Sequence, residues 1–274
     1  MVTCRTSPAR LPFALGTLAW LALFLSCLAQ ESPAPGEETA ESKTEAVSEQ
    51  ASSDTSSLPE VDGITFAVNP GRYYLPVDEL PDLLGWTVEH DEEAKKVTLN
   101  QSTTYSYSEL RRFVEGPYLV HMTHLIATGA VIEKSEDRTQ VTVTYGKRGF
   151  VLVAGPQKTR VDLTTQRLKS WQGDRLVLDC HISSGRYGTP VGKYTAGPYK
   201  SRRHYSRLFN GAAMPYSVQF HGHYFVHGFT SVPNYPASKG CIRMHLDQGN
   251  PARFFYEWVK VGSPFEVYRS EKKP

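Results

Sequence analysis

The sequence predicts a mainly β domain in its second half, preceded by a small α+β domain built from two similar units. Three observations carry this reading. Residues 160–182 run as short alternating stretches broken by turn residues. Only one helix start in the second half is well marked, at Asn250-Pro251. An ungapped self-similarity with a spacing of 44 residues runs through the first half. With 274 residues, 40% of them hydrophobic and 21% charged, the chain can bury a core and form one or two domains. That composition excludes a wholly disordered chain, a collagen-like repeat and a polytopic membrane protein.

Residues 1–29 read as a secretory signal. Arg5 and Arg10 precede an apolar stretch from Leu11 to Leu25, and Ala29 supplies a small residue at a plausible cleavage point. The stretch is short against the roughly 20 residues of a stable span, which makes an uncleaved anchor the lesser alternative. Phe24-Leu25-Ser26-Cys27 loosely resembles a lipoprotein signal, so lipidation at Cys27 is a third possibility. Each places the remainder outside the cytoplasm, in a periplasm or cell envelope, with membrane contact only through the signal or a lipid. Residues 30–60 hold eight acids against Lys43 and no aromatic residue. Such a segment cannot repay the entropy of ordering, and is expected to be a disordered tether.

Residues 61–147 carry the repeat. Gly85-Trp86-Thr87-Val88-Glu89 aligns with Gly129-Ala130-Val131-Ile132-Glu133, Val97-Thr98-Leu99 with Val141-Thr142-Val143, and Tyr74-Leu75 with Tyr118-Leu119. Each unit is expected to hold a helical stretch (Pro76 to Leu84; His121 to Thr128), a Gly stop and two short strands around a polar turn. The first unit resembles the stalk-type repeat of copper amine oxidase N-terminal-like domains. That resemblance implies a non-catalytic accessory module, and no copper. His90, His121 and His124 have no convincing ligand spacing.

Residues 148–269 hold the chemistry, with 270–274 as a tail. A strand from Arg160, a turn at Thr164-Thr165 and a strand to Trp171 are followed by a turn at Gln172-Gly173-Asp174. A third strand would place Leu176, Leu178, Cys180 and Ile182 on one face. Asn250 is a plausible cap for a helix from Pro251 through Val259.

Beyond the signal, two cysteines remain. They could pair in an oxidising compartment. Cys180, however, lies on the apolar face of a strand and reads as a buried structural thiol. Cys241 follows Gly240 and stands near Lys239 and Arg243. Neighbouring cations are expected to lower its pKa. A thiol nucleophile needs a base, itself oriented by a third group. Alternation puts His221, His223 and His227 on one strand face, and His227, followed by Gly228, would emerge at a sheet edge beside Cys241. Three imidazoles could instead bind zinc, but Asp247 is the only nearby acid to complete such a site. The Cys–His reading is preferred, with no metal and no cofactor.

His227-Gly228 followed by Ser238-Lys239-Gly240-Cys241-Ile242-Arg243-Met244 resembles the active-site signature of L,D-transpeptidases of the YkuD type. The likeness extends over about Gly149 to Tyr268, including RVDLTTQRLKSW, SSGRYGTPVGKY and Met214-Pro215-Tyr216. Lys239 stands where many members have His. The resemblance implies a β-sandwich-like fold with a cleft at its rim. It implies attack by Cys241 on the meso-diaminopimelate carbonyl of a tetrapeptide stem, with release of D-Ala and transfer to an amine. It also implies that the Gly228 carbonyl orients His227. Gly240 and Cys241 N–H groups are natural oxyanion donors on such a turn. Ser238 and Arg243 either shape the site, as by holding a substrate carboxylate, or brace the loop.

Residues 199–220 fall where the family carries a lid. Their basic and aromatic residues, Arg203 and Tyr216 among them and with Lys239 nearby, are candidates to grip stem-peptide carboxylates. Residues 148–274 hold nineteen basic and seven acidic residues. That balance suits an anionic polymer, which for an exported protein is the wall rather than nucleic acid. The expected partners are peptidoglycan stem peptides and, if transfer anchors one, a wall protein. Two alternatives stay open: an L,D-carboxypeptidase with the same residues, and a non-catalytic wall-binding protein.

Overall fold

The computed structural model describes residues 58–271. The signal, Cys27, residues 30–57 of the tether and residues 272–274 lie outside the described residues. Glu60, expected at the end of the tether, begins the first strand.

The N-terminal module contains β1 (Glu60–Asp62), β2 (Ile64–Phe66), β3 (Asn69–Pro76), α1 (Leu80–Leu84), β4 (Val88–Asp91), β5 (Lys96–Leu99), β6 (Thr103–Ser106), β7 (Arg111–Arg112), β8 (Tyr118–His121), α2 (Met122–Ile126), β9 (Val131–Lys134), β10 (Gln140–Tyr145) and β11 (Arg148–Val153). The two units are visible as strand, helical turn and hairpin. Strands β3 and β8 are their matching first strands, and they pair antiparallel, Leu75 opposite Val120. Gly85 and Gly129 both adopt positive φ, 72° and 95°, where the helical turns stop. The equivalent pairs Trp86/Ala130, Val97/Val141 and Leu99/Val143 are all buried in one core. The repeat was legible because both units contribute the same positions to that core.

The helical stretches are shorter than expected. Pro76 closes β3, a 3₁₀ turn covers Val77–Glu79, and only Leu80–Leu84 is α-helical. In the second unit His121 is the cap, its Nδ1 accepting from the Thr123 N–H. The module boundary also moves. β11 pairs with β10 along its whole length and with β1, and Phe150 and Leu152 belong to the N-terminal core. It is the third strand of the second unit, as β6 is of the first.

The C-terminal domain follows: β12 (Gln157–Asp162), β13 (Arg167–Gln172), β14 (Arg175–Ser183), β15 (Gly192–Thr195), β16 (Lys200–Tyr205), β17 (Ala213–His221), β18 (Tyr224–Phe229), β19 (Ile242–His245), α3 (Pro251–Trp258) and β20 (Pro264–Tyr268). Nine strands form one sheet in the order β15-β20-β12-β13-β14-β19-β18-β17-β16. It curls into a sandwich. Phe220 from one half stacks on Phe265 from the other, centroids 4.9 Å apart. The fold is mainly β, as expected, and α3 has the expected cap, Asn250 Oδ1 accepting from the Arg253 N–H at 2.9 Å. Ser270, first residue of the expected tail, is tied to Asp162 through its N–H and its hydroxyl.

The third strand departs from simple alternation. Ser170 faces Leu178 but Trp171 faces Leu176, so Val177 is an extra residue in the ladder. Val177 and Leu178 are both buried, and Leu176 is 46% exposed. The bulge turns Leu176 out of the face it was expected to share with Cys180 and Ile182.

The two modules share a core. Ile64, Phe66, Tyr74 and Leu119 pack into the core of the C-terminal domain. Phe66 meets Phe254 of α3 edge-on at 5.6 Å, and Arg111 pairs with Glu257 at 2.9 Å. Arg175 grips Glu79 through both guanidinium nitrogens.

Leu178→Ala should cost about 2–5 kcal/mol, and Leu176→Ser should stay within about 0.5 kcal/mol of the parent, measured by urea denaturation. Equal losses would mean that the bulge is misplaced.

Candidate active site

The site is built where β18 and β19 pair in parallel, with His227 opposite Arg243 and Val226 opposite Ile242. Cys241 is the residue just before β19. His227 and Cys241 thus come from adjacent strands, one inside β18 and the other at the mouth of β19. β18 is an interior strand, not the sheet edge expected for His227. It continues through Gly228 to Phe229, because Gly228 is a packing residue and not a turn. A Cβ there would sit 2.3 Å from Leu246 Cδ2.

The 238–241 turn is held from several sides. Ser238 is buried; its hydroxyl donates to the Cys241 carbonyl and accepts from the Gly240 N–H at 3.0 Å. Gly240 has φ 150°, and a Cβ on it would meet the Tyr224 ring at 2.8 Å. The 183–189 loop clamps the turn from the other side. Thr189 Oγ1 donates to the Gly240 carbonyl at 2.7 Å and accepts from the Gly185 N–H at 2.9 Å. The Ser184 carbonyl accepts from the Ala237 and Ser238 N–H groups, and Gln166 holds Ser184 in turn. Ser238 is therefore a brace. The Gly240 N–H, expected as an oxyanion donor, is already committed to the Ser238 hydroxyl.

His227 Nδ1 donates to the Gly228 carbonyl at 2.9 Å, which leaves Nε2 as the unprotonated ring nitrogen, able to accept a proton. Burial pushes the imidazole down to about 4; the Gly228 hydrogen bond opposes this, while Arg243 and His204 add to it. The Cys241 thiol donates to the His223 carbonyl at 3.8 Å rather than to His227. Burial raises its pKa, and a backbone hydrogen bond from Phe225 and the charge of Arg243 offset this only in part. The lowered thiol pKa expected from neighbouring cations is not found: the desolvation of a half-buried sulfur outweighs them. The resting pair is thiol and neutral imidazole.

His227, Cys241, Ser238, Lys239 and Arg243 line one cavity of about 210 Å³. Its other wall is the β16–β17 hairpin tip, with Ser206, Phe209, Ala212, Ala213 and Met214. The expected lid is thus a hairpin whose tip covers the cysteine. Lys239 Nζ sits 4.4 Å from the Phe209 ring centre, and the Arg243 guanidinium 4.0 Å from that of Phe229. Arg243 forms no ion pair among the described residues, so its charge is free for an anionic substrate group.

Two candidate residues are not in this cavity. Arg203 is exposed on β16, opposite Pro215. Tyr216, at φ 55°, lines a different cleft. The three histidines of the zinc reading are also dispersed. His221 ends β17 and His223 lies in the turn after it, both exposed, and His227 is buried in β18. No group of His, Cys, Asp or Glu able to hold a metal occurs among the described residues. Cys180 is buried, and it and Cys241 are not joined to each other. Sequence reasoning put Phe209 in the lid, where it lines the cavity, but missed Thr189 and Gln166. Only Thr189 left a trace, in a loop dense with turn residues.

Residues 156–267 match the YkuD family, the L,D-transpeptidase catalytic domain. The match covers every strand of the site and stops short of the N-terminal module, whose stalk-type likeness rests on sequence alone. Among solved structures, an L,D-transpeptidase from Xylanimonas cellulosilytica is 27% identical, with 42% of this chain and 61% of that one covered and a TM-score of 0.36. One from Stackebrandtia nassauensis is 19% identical, with 54% and 65% covered and a TM-score of 0.38. One from Mycobacterium tuberculosis is 14% identical, with 77% and 94% covered and a TM-score of 0.38. The chain thus spans somewhat under two thirds of the first two. A search of curated proteins finds no match.

Two measurements check the protonation state of the YkuD site. Alkylation of Cys241 by iodoacetamide, followed by peptide mass mapping, should keep accelerating from pH 7 through pH 9; a plateau below pH 7 would reveal a preformed thiolate. Stability should fall as pH drops from 6.5 towards 4, because the unfolded chain then binds a proton that buried His227 refuses. The fall attributable to His227 should be at most about 3 kcal/mol and should be smaller in His227→Gln, read from urea midpoints.

Proposed function

We propose that the protein is a peptidoglycan L,D-transpeptidase with Cys241 as nucleophile. The observation that carries this is the placement of Cys241 and an oriented, neutral His227 in one covered cavity, within the segment that matches the family. His227 Nε2 takes the Cys241 proton as sulfur attacks the meso-diaminopimelate carbonyl of a tetrapeptide stem. The imidazolium then gives that proton to the departing D-Ala amine. A thioester remains on Cys241. A second stem's side-chain amine, or the amine of a protein to be anchored, attacks it and loses its proton to His227, which returns it to the thiol. The Cys241 N–H is the better oxyanion donor, since the Gly240 N–H is engaged by Ser238. Arg243 and Lys239, on the cavity wall, suit a stem carboxylate. No step needs a metal or cofactor.

Hydrolysis by the same residues, with water as the acceptor, is the second reading; the half-exposed sulfur leaves room for it. The signal at residues 1–29 supports export to the periplasm or envelope, with lipid anchoring at Cys27 as a variant. The N-terminal module is read as an accessory unit. A purely wall-binding role would leave the Cys241–His227–Gly228 arrangement without a use.

With purified tetrapeptide muropeptides, mass spectrometry should find crosslinked dimer; trimmed monomer alone would replace transfer by hydrolysis. Cys241→Ala should abolish turnover and Cys180→Ala should retain it. EDTA should leave the rate unchanged. Activity surviving in Cys241→Ala would remove the cysteine mechanism.

A further inference from the structure

A second cavity lies apart from the one that holds Cys241. It is a cleft of about 1120 Å³ between the N-terminal module and the catalytic domain. One wall comes from β3, β7 and the region of α2. The other comes from β16, β17 and α3. Six arginine or lysine side chains line it against two carboxylates. Both carboxylates are engaged: Glu257 is held by Arg111 at 2.9 Å and Arg253 at 2.7 Å, and Glu109 accepts from the Ser106 N–H at 2.7 Å. The side chains of Arg72, Lys134 and Arg202 have no ion pair or hydrogen bond among the described residues.

Like charge gathered in a concave site repels itself, and a bound anion relieves that repulsion. The crowding is visible on His121 in the same wall, which is held down to about 4 by burial first and then by His124, Arg72 and Lys134. Tyr216 lines the cleft from a backbone conformation that bulky residues rarely adopt, its ring 5.9 Å from that of Tyr256. The volume exceeds what a single small anion needs and suits a segment of chain. Guanidinium groups fit carboxylates in a bidentate manner.

We propose that this cleft is a second docking site, separate from the Cys241 cavity, for a carboxylate-bearing strand of the wall polymer, held by Arg72 and Lys134 on one wall and Arg202 and Tyr216 on the other. It rests on the wall-polymer reading above. Arg202 and Tyr216 lie on the same β16–β17 hairpin whose tip covers Cys241. A strand in the cleft is therefore held against the element that covers the nucleophile.

The test uses the full chain carrying Cys241→Ala, with and without Arg72→Glu, Lys134→Glu and Arg202→Glu together. Binding to sacculi stripped of phosphate polymers with hydrofluoric acid is measured by sedimentation at low and high salt. The parent should bind and should weaken with salt, since exposed charges are screened over about 10 Å at 0.1 M. The triple variant should bind at least tenfold more weakly. In the background that retains Cys241, its alkylation rate and thermal midpoint should match the parent. If the triple variant misfolds, Arg72→Ala and Arg202→Ala, from opposite walls, should each weaken binding at least threefold. Unchanged binding by folded variants overturns the proposal. Loss of parent binding on stripping also overturns it, by making the ligand a phosphate polymer. Binding that depends on these residues, in a protein that neither transfers nor trims muropeptides, would keep the docking site and remove the proposed activity.

Discussion

The parallel pairing of β18 with β19 is the constraint on which the site depends. It sets His227 beside Arg243 and leaves Cys241 on the turn that enters β19. Parallel neighbours need a crossover, and here that connection contains the reactive turn. The turn cannot relax outward or inward. Gly240 lies against the Tyr224 ring, and a Cβ on Gly185 would come within 2.5 Å of Gly240 Cα. Two glycines meeting backbone to backbone, with Thr189 and Ser238 filling the remaining hydrogen bonds, make the position of the sulfur a property of the sheet and not of a mobile loop.

Burial then decides the chemistry available at rest. The cations near Cys241 favour the thiolate, but the hairpin tip and β18 exclude enough water to favour the neutral thiol. The same burial keeps His227 neutral, and its hydrogen bond to the Gly228 carbonyl fixes the tautomer.

The N-terminal module is more than a spacer in physical terms. Its β2 and β3 contribute Ile64, Phe66 and Tyr74 to the catalytic core, and the Ala67 and Val68 N–H groups donate to the Trp258 and Glu257 carbonyls at the end of α3. These contacts hold the two walls of the basic cleft at a set separation. One C-terminal base, Arg175, pairs with Glu79 of the N-terminal module, one N-terminal base, Arg111, pairs with Glu257, and Arg72 and Lys134 line the cleft.

The sequence by itself determined the repeat, the mainly β class and the cap of α3, and it singled out His227 and Cys241, which line one cavity. Each is a local or periodic signal: a spacing of 44 residues, alternation of two, an Asn-Pro start, a Gly-Cys turn between cations. The tertiary structure decided what depends on partners distant in the chain. It moved 148–153 into the first module, since only pairing with β10 and β1 reveals a third strand. It turned Leu176 outward through a bulge that alternation cannot contain. It placed Tyr216, which has a positive φ, on a different cleft from the sulfur, and left Arg203 exposed on β16 outside the Cys241 cavity. It also reversed the expected direction of the Cys241 pKa, since charge can be read from neighbours in sequence, whereas desolvation depends on which surfaces close over the atom.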